Sequence, residues 1–169
     1  KASAFDDTKA SLMGDYVPAK LGFDDGENLK TLIITTDYSG YILYFYENGK
    51  AAKVPLKSYE TKTNRRKLAN AYSEKSPLVA AVFIEEDCDI LLRSSSGHTL
   101  MFNTALLLPK ATRDSQGVQV MNLRKKAVLA SAVSVIDEER ENLEKYRSKS
   151  VPAAGKPAKE LGDTNQLTL

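Results

Sequence analysis

The residues best suited to chemistry in this chain are its lysines and arginines, which crowd into two stretches. Ammonium and guanidinium groups hold phosphate oxygens through charge-assisted hydrogen bonds, so such clusters are typical of proteins that bind a polyanion. A surface of mixed charge would also produce clusters of this kind by chance. The candidate phosphate contacts are Lys50, Lys53, Lys57, Lys62, Arg65, Arg66 and Lys67 in the first stretch, and Lys110, Arg113 and Lys125 in the second.

The small net charge of +2 hides an uneven distribution along the 169 residues. Residues 40–80 hold eight lysines and arginines against three glutamates, and residues 88–134 hold six basic residues against two acidic ones. Residues 1–39 hold seven acidic and four basic residues, and an acidic run, residues 85–87, separates the two basic stretches. Basic stretches joined by acidic connections favour a polyanionic partner.

Catalytic chemistry finds little support in the residue types. His98 is the only histidine and Cys88 the only cysteine, which excludes an internal disulfide and a tetrahedral zinc site built from those ligands. His98 follows a turn glycine, so we expect an exposed or phosphate-facing side chain and not a catalytic base. Cys88 is expected to be a buried structural thiol. No nucleophile elbow or glycine-rich phosphate loop is present, so we predict no catalytic residue and no metal site in this chain.

Four aromatic residues, Tyr41, Tyr44, Phe45 and Tyr46, could either stack on nucleic-acid bases or pack inside the protein. The run is continuous and flanked by turns, which favours a strand covered on both faces. We therefore predict that these side chains pack between neighbouring sheets.

The elements that must position the basic residues occur twice. The segment from Tyr41 to Tyr72 matches the segment from Asp89 onward under a shift of 48 residues without a gap. The shift places Ile42 on Ile90, Leu43 on Leu91, Gly49 on Gly97, Val54 on Phe102, Arg65 on Arg113 and Ala69 on Gly117. A period of this length with several strands in each unit is typical of propeller-like architectures.

Each repeat begins with a predicted hairpin. Asn48-Gly49 lies between the apolar run 41–46 and a second strand, 51–56, and Asn-Gly suits a tight turn because both positions need positive φ. In the second repeat, strands 89–93 and 98–103 flank a turn at 94–97.

Further strands are predicted at 17–21, 30–36, 77–84, 117–123 and 127–135. The charged segment 136–149 predicts a short, mostly solvated helix with Asp137 as its N-cap. The rest reads as a tail, whose last residues, 166–169, have the composition to add an extended segment to a sheet.

The predicted class is therefore all-β, with about two to three propeller-like blades of antiparallel strands, a short C-terminal helix and a tail. We assign a partial earlier blade to 1–36, one blade to 37–84, a second to 85–135, and the helix and tail to 136–169. The chain opens at Lys1 in mid-pattern, so we expect it to be cut from a longer protein. No apolar run is long enough to span a bilayer.

Two segments of the chain carry a family resemblance: TDYSGYILYFYENGKAAKVPLKSYETKTNRRKLANAYSEKSPLV and, further on, TRDSQGVQVMNL. Together they resemble the C-terminal domain of bacterial type IIA DNA topoisomerase A subunits. Those are the A subunit of DNA gyrase and its topoisomerase IV counterpart. Arg113, Gly117 and Val118 match the family's arginine-glycine corner well, whereas Arg65 and Ala69 match it without the glycine. The resemblance covers roughly residues 1–135.

This resemblance implies a partial β-pinwheel, a propeller-like disc whose neighbouring blades exchange strands. It implies binding and bending of duplex DNA around a basic rim, which steers DNA toward a cleavage core. The cleaving tyrosine lies in a separate domain, and ATP with Mg²⁺ belongs to the parent enzyme, so no cofactor is expected in this fragment. Expected partners are double-stranded DNA, the rest of the A subunit and the B subunit, in the bacterial cytoplasm and nucleoid. A partial disc leaves sheet edges open, so self-association is also expected.

Two matters stay open at the level of sequence. The glutamine-arginine-arginine-glycine-glycine box of gyrases is absent, and residues 64–67 (NRRK) only faintly resemble it, so gyrase and topoisomerase IV are not distinguished. The competing hypothesis is a protein-interaction module that docks through Tyr41, Tyr44 and Tyr46. An enzyme in its own right has the least support.

Overall fold

The computed structural model describes residues 5–63 and 67–158, and its main elements are short antiparallel strands. Two short α-helices, Val17–Leu21 (α1) and Asp137–Leu143 (α2), flank them. Single turns of 3-10 helix follow three of the elements, at Leu56–Tyr59, Thr104–Leu106 and Glu144–Tyr146. In the described residues the strands are Tyr41–Tyr46 (β1), Lys50–Pro55 (β2), Leu78–Ile84 (β3), Asp89–Ser94 (β4), His98–Asn103 (β5), Val118–Gln119 (β6), Leu129–Ser134 (β7) and Lys156–Pro157 (β8). The all-β prediction is confirmed.

The strands form two four-stranded sheets, with a hairpin at the centre of each. The first sheet has the order β3-β1-β2-β6 and the second β7-β4-β5-β8. The hairpin strands begin at residues 41 and 50 in the first sheet and at 89 and 98 in the second, so the shift of 48 residues is kept. Gly49 and Gly97 have φ of 76° and 74° at the hairpin turns, a conformation that glycine adopts without a steric penalty. Asn48 does not have positive φ, so the expectation of positive φ at both Asn48 and Gly49 is wrong.

The outer strand of the first sheet comes from the second repeat. β6 pairs with β2 through Lys50–Gln119 and Ala51–Val118. Gly117 makes this pairing possible, because it has a φ of 71° and a Cβ at this position would lie 1.9 Å from the carbonyl oxygen of Ala51. A strand passed from one repeat to the sheet of the other is the exchange that the resemblance implied.

The two sheets stack face to face around one core. Its fully buried members include Leu43 and Phe45 from β1 and Ile90, Leu92 and Phe102 from the second sheet. The opposite face of the first sheet carries a second cluster, in which Tyr44 and Tyr46 are covered by Ile33 and Tyr59. The predicted packing between the sheets therefore holds for Phe45, whereas Tyr44 and Tyr46 are buried on the opposite face of the first sheet.

The N-terminal segment differs from the sequence-based prediction. Residues 17–21 form helix α1, because Pro18 fits a first helical turn and Gly22, with φ of 66°, ends the helix in the left-handed conformation. Residues 30–36 form no strand, although Ile33 packs on the first sheet. Leu32 and Ile34 are 66% and 84% exposed. The described part of the expected earlier blade, residues 5–36, thus contains no strand.

The C-terminal segment also departs from prediction in detail. The N-cap of α2 is Ile136, not Asp137, and no side chain caps the helix. Asp137 instead lies in the first turn with two glutamates, where the helix dipole favours negative charge. The tail does add to a sheet, but through β8, which pairs with β5; residues 166–169 lie outside the described residues.

Among the described residues, no helix is long and apolar enough to cross a membrane. The division of the chain into blades 37–84 and 85–135, with a partial blade before and a tail after them, remains a prediction.

Candidate nucleic-acid interface

Four of the predicted basic residues lie along one edge of the first sheet, which we call the basic edge: Lys50, Lys57, Lys110 and Arg113. Lys50 begins β2, and Lys57 lies in the 3-10 turn that follows it. Lys110 and Arg113 belong to the loop that leads into β6, and the Lys110 amide donates to the carbonyl oxygen of Lys53 over 2.7 Å. Lys57 is exposed, and the other three are partly exposed.

Arg113 is held at the place where the corners of the two repeats meet. Its Nη1 donates to the carbonyl oxygen of Ser58 over 3.4 Å, and its guanidinium carbon lies 5.9 Å from the centre of the Tyr59 ring. This distance falls within the range of a cation–π contact. An open groove of about 450 Å³ lies beside the guanidinium, lined by Ser58, Asn70, Ala111, Thr112, Arg113 and Asp114.

A tyrosine cluster fixes the ring on which Arg113 rests. The Tyr59 hydroxyl donates to the carbonyl oxygen of Ala71 over 2.7 Å, and the rings of Tyr44 and Tyr72 stack with centroids 5.5 Å apart. Burial raises the pKa of Tyr44 and also the pKa of Tyr59, so both phenols stay neutral at physiological pH. The ring that lies against the Arg113 guanidinium is therefore a neutral phenol.

Lys53 is buried, against the expectation of an exposed side chain. Its side chain is only 5% exposed, and its ammonium forms an ion pair with Asp87 at 2.5 Å. It also lies 4.7 Å from the centre of the Tyr41 ring. Lys53 holds down the pKa of Asp87, with help from a hydrogen bond from Thr104. An ammonium neutralised and enclosed in this way joins the two repeats and cannot reach a phosphate.

Two other predicted lysines share their charge with carboxylates. Lys67 lies 2.6 Å from Asp24 and 3.0 Å from Glu27, and these contacts raise the pKa of Lys67. Lys57 lies 2.7 Å from Glu60 in an exposed pair. Exposed pairs of this kind are weak and a phosphate can displace them, but Lys67 faces two carboxylates and contributes less positive potential.

Lys125 and Lys62 are exposed, and the other two predicted residues fall outside the described ranges. Lys125 is exposed in a turn that lies near the tip of the second hairpin. Val128, which follows this turn, accepts a hydrogen bond from the Ser95 amide and donates one to the Ser95 hydroxyl. Lys62 is exposed, and by the repeat it corresponds to Lys110 one unit earlier. Arg65 and Arg66 lie outside the described residues, so the pairing of Arg65 with Arg113 stays a prediction.

The lone histidine and the lone cysteine, His98 and Cys88, are both at least partly buried. His98 is buried at 8% exposure, against the expected exposed position, and its Nδ1 lies 3.2 Å from the carbonyl oxygen of Ser96. Cys88 is partly buried, and burial raises the pKa of its thiol. In the described ranges, no group of three or more histidine, cysteine or acidic residues is arranged to hold a metal.

The sequence analysis did not identify Tyr59, whose ring packs against the Arg113 guanidinium. The available signal was its position, since Tyr59 ends the 3-10 turn directly after β2 and so comes before the basic corner. Of the three tyrosines in the docking face of the alternative function, Tyr44 and Tyr46 are buried at 5% and 1% exposure and Tyr41 is partly buried.

Solved structures share this arrangement of sheets. A crystal structure of the C-terminal domain of DNA topoisomerase IV superposes with a TM-score of 0.64 at 23% identity, covering 75% of this chain and 40% of that one. The E. coli ParC C-terminal domain matches with a TM-score of 0.59 at 16% identity, covering 90% of this chain and 69% of that one. This chain has the β-pinwheel fold of a topoisomerase C-terminal domain. The resemblance found in the sequence is thus confirmed at the level of fold.

A more distant match is a DNA gyrase A C-terminal domain, with a TM-score of 0.46 at 19% identity over 66% of this chain and 41% of that one. No protein-family model and no curated protein matches the sequence. The β-pinwheel chain described here spans 40% of the length of the topoisomerase IV domain that it matches.

Proposed function

We propose that this β-pinwheel chain binds and bends duplex DNA as part of the C-terminal domain of a type IIA topoisomerase A subunit. In that role it steers a DNA segment toward ATP-dependent strand passage carried out elsewhere in the enzyme. The observation that carries the proposal is Arg113, held between the Ser58 carbonyl and the Tyr59 ring beside an open groove. Lys57 and Lys110 lie on the same sheet edge.

The basic edge has dimensions that suit a DNA backbone. A six-residue strand such as β2 extends for about 17–20 Å, and duplex DNA carries one negative charge per ~1.7 Å of its axis. Several phosphates therefore face the edge at once. The contacts would go to the backbone and not to base edges, so binding should tolerate many sequences and prefer those that bend easily.

The same proposal names the partners and the setting. Double-stranded DNA is the ligand, and the remaining A-subunit domains and the B subunit, with its ATP and Mg²⁺, complete the enzyme. These components belong to the bacterial cytoplasm, with the enzyme on the nucleoid. Self-association of the isolated chain is part of the same proposal, because a partial disc leaves apolar surface without a partner.

The test is duplex affinity at a series of salt concentrations, measured by fluorescence anisotropy with unmodified DNA. We expect the Lys110→Ala/Arg113→Ala variant to bind more weakly. The slope of log affinity against log salt should be shallower by about 0.9 for each phosphate that the variant no longer neutralises. A matched control, Arg93→Ala/Lys149→Ala, removes two exposed basic residues away from the basic edge and should keep the wild-type slope.

Bending is measured on the same samples by energy transfer between dyes at the two duplex ends. Wild-type protein should bring the ends closer, and the Lys110→Ala/Arg113→Ala variant should do so less at equal occupancy. Equal slopes for this variant and the control would remove the basic edge from the interface. Absence of duplex binding by the wild-type chain at low salt would overturn the function itself.

A further inference from the structure

The C-terminal segment from Asp137 to Ala158 covers two open surfaces of the second sheet. The first surface is its outer face, where Leu143 and Tyr146 pack with Leu91 and Met101. Both covering side chains are nearly fully buried, at 5% and 2% exposure. The second surface is the outer edge of β5, which the rest of the second sheet leaves open and with which β8 pairs. In the first sheet the corresponding edge is covered by β6, which comes from the second repeat.

The tail covers this edge in the same way as β6 covers the first sheet. Gly155 has a φ of 72° and Gly117 a φ of 71°, and two extended residues follow each glycine. Val118 pairs with Ala51, and Lys156 pairs with Thr99, the residue that replaces Ala51 under the shift of 48. A Cβ on Gly155 would lie 2.8 Å from the Thr99 carbonyl oxygen, so this glycine also permits a close backbone approach.

Polar contacts hold the segment in place on the second sheet. The guanidinium of Arg147 donates two hydrogen bonds of 2.8 Å to the carboxylate of Asp89, whose side chain is 4% exposed. Arg140 approaches the same carboxylate at 3.3 Å. The amides of Ser148 and Ala158 donate to the carbonyl oxygens of Met101 and Gly97. Paired, buried charges of this kind are costly to separate, so they fix the position of the segment.

We propose that residues 137–158 form a cap, which occupies in cis the surface on which another blade of the same repeat would dock. Two observations support this proposal. Gly155-Lys156-Pro157 pairs with the second sheet in the same way as Gly117-Val118-Gln119 pairs with the first, and the outer face of the second sheet is covered by the same segment. The surface beneath the cap accepts a strand that begins with a left-handed glycine and continues in extended conformation. While the cap is in place, no further blade can pair with β5.

The experiment weakens the cap in the full chain and compares it with a matched variant. Arg147→Ala/Gly155→Val removes the ion pair with Asp89 and places a Cβ against Thr99. Lys149→Ala/Ala154→Val changes neighbouring exposed residues of the same segment. Hydrogen exchange of the Ser148 and Ala158 amides reports whether the segment is docked. Exchange in β1 and β2 reports whether the first sheet stays folded.

We expect at least tenfold faster exchange of the two tail amides in Arg147→Ala/Gly155→Val, with β1 and β2 still protected, and no change in the control. A fluorescent peptide of residues 137–158 should then bind this variant and not the wild-type chain or the control. The single variant Arg147→Ala, which strains no backbone, should show the same effects to a lesser degree. Unchanged tail protection in both Arg147 variants would overturn the proposal, as would a released tail whose surface does not bind the peptide.

Discussion

At the scale of single residues, burial separates lysines that look alike in the sequence. Lys53 and Lys110 both belong to basic stretches, yet Lys53 is enclosed with Asp87 and Tyr41, whereas Lys110 is partly exposed on the basic edge. The two charges therefore have different roles. Lys53 joins the two repeats through Asp87, and in the proposed function Lys110 contacts a phosphate.

Substitution of these two lysines should have opposite effects. Lys53→Met removes the ion pair with Asp87, whose side chain is 39% exposed and can be solvated, so the free energy of unfolding in urea should fall by about 0.5–1 kcal/mol while DNA affinity stays close to wild type. Lys110→Ala should lower DNA affinity and leave the free energy of unfolding nearly unchanged. If Lys53→Met, still folded at the assay temperature, weakened DNA binding as much as Lys110→Ala, Lys53 would belong to the interface after all.

At the scale of elements, the close approach of two backbones decides where strand exchange occurs. Gly117 comes directly before β6, where the chain approaches the first sheet so closely that a methyl group would collide with the Ala51 carbonyl. Gly97 has nearly the same φ, 74°, but a Cβ there would meet nothing within 4 Å. The two glycines thus share the conformational requirement and differ only in the space around them.

This pair of glycines allows the two effects to be measured separately. Gly97→Ala should lower the free energy of unfolding by about 1–2 kcal/mol, the cost of a left-handed alanine. Gly117→Ala should cost clearly more, because the first sheet must also move away from β6. Urea unfolding of both variants measures the difference, and equal decreases would mean that the contact with Ala51 relaxes without cost.

At the scale of the whole molecule, the two ends of the stacked sheets are unlike. The second sheet is closed on its face and edge by residues 137–158. At the other end, the segment 30–36 forms no strand and leaves Leu32 and Ile34 largely exposed. These two side chains are candidates for contact with a partner.

We expect this end to be the site of self-association. The weight-average mass in sedimentation experiments should rise with concentration for the wild-type chain and should rise less for Leu32→Ser/Ile34→Ser. Val133→Ser, a change at an exposed position of β7 in the second sheet, serves as the control. A wild-type chain that stays monomeric at every concentration, or an equal effect of the control, would contradict this expectation.

Much of the fold could be predicted from the sequence, because the signals that define it are local. The hairpin turns at Gly49 and Gly97 need positive φ, and the apolar runs beside them need a partner strand, so both hairpins and the shift of 48 follow from short stretches of residues. The resemblance to topoisomerase C-terminal domains rested on these same stretches and is confirmed in the fold.

Tertiary structure alone decided which residues make up the candidate site and how the sheets end. Lys53 pairs with Asp87 and His98 lies opposite Pro157, both far away in the chain, and the contact of Arg113 with Tyr59 joins two repeats. Segment 30–36 has the composition of a strand but forms none in the described structure, whereas Lys156-Pro157 pairs with the edge of β5. Sequence determines what a short segment prefers, and the contacts between distant segments determine whether that preference is realised.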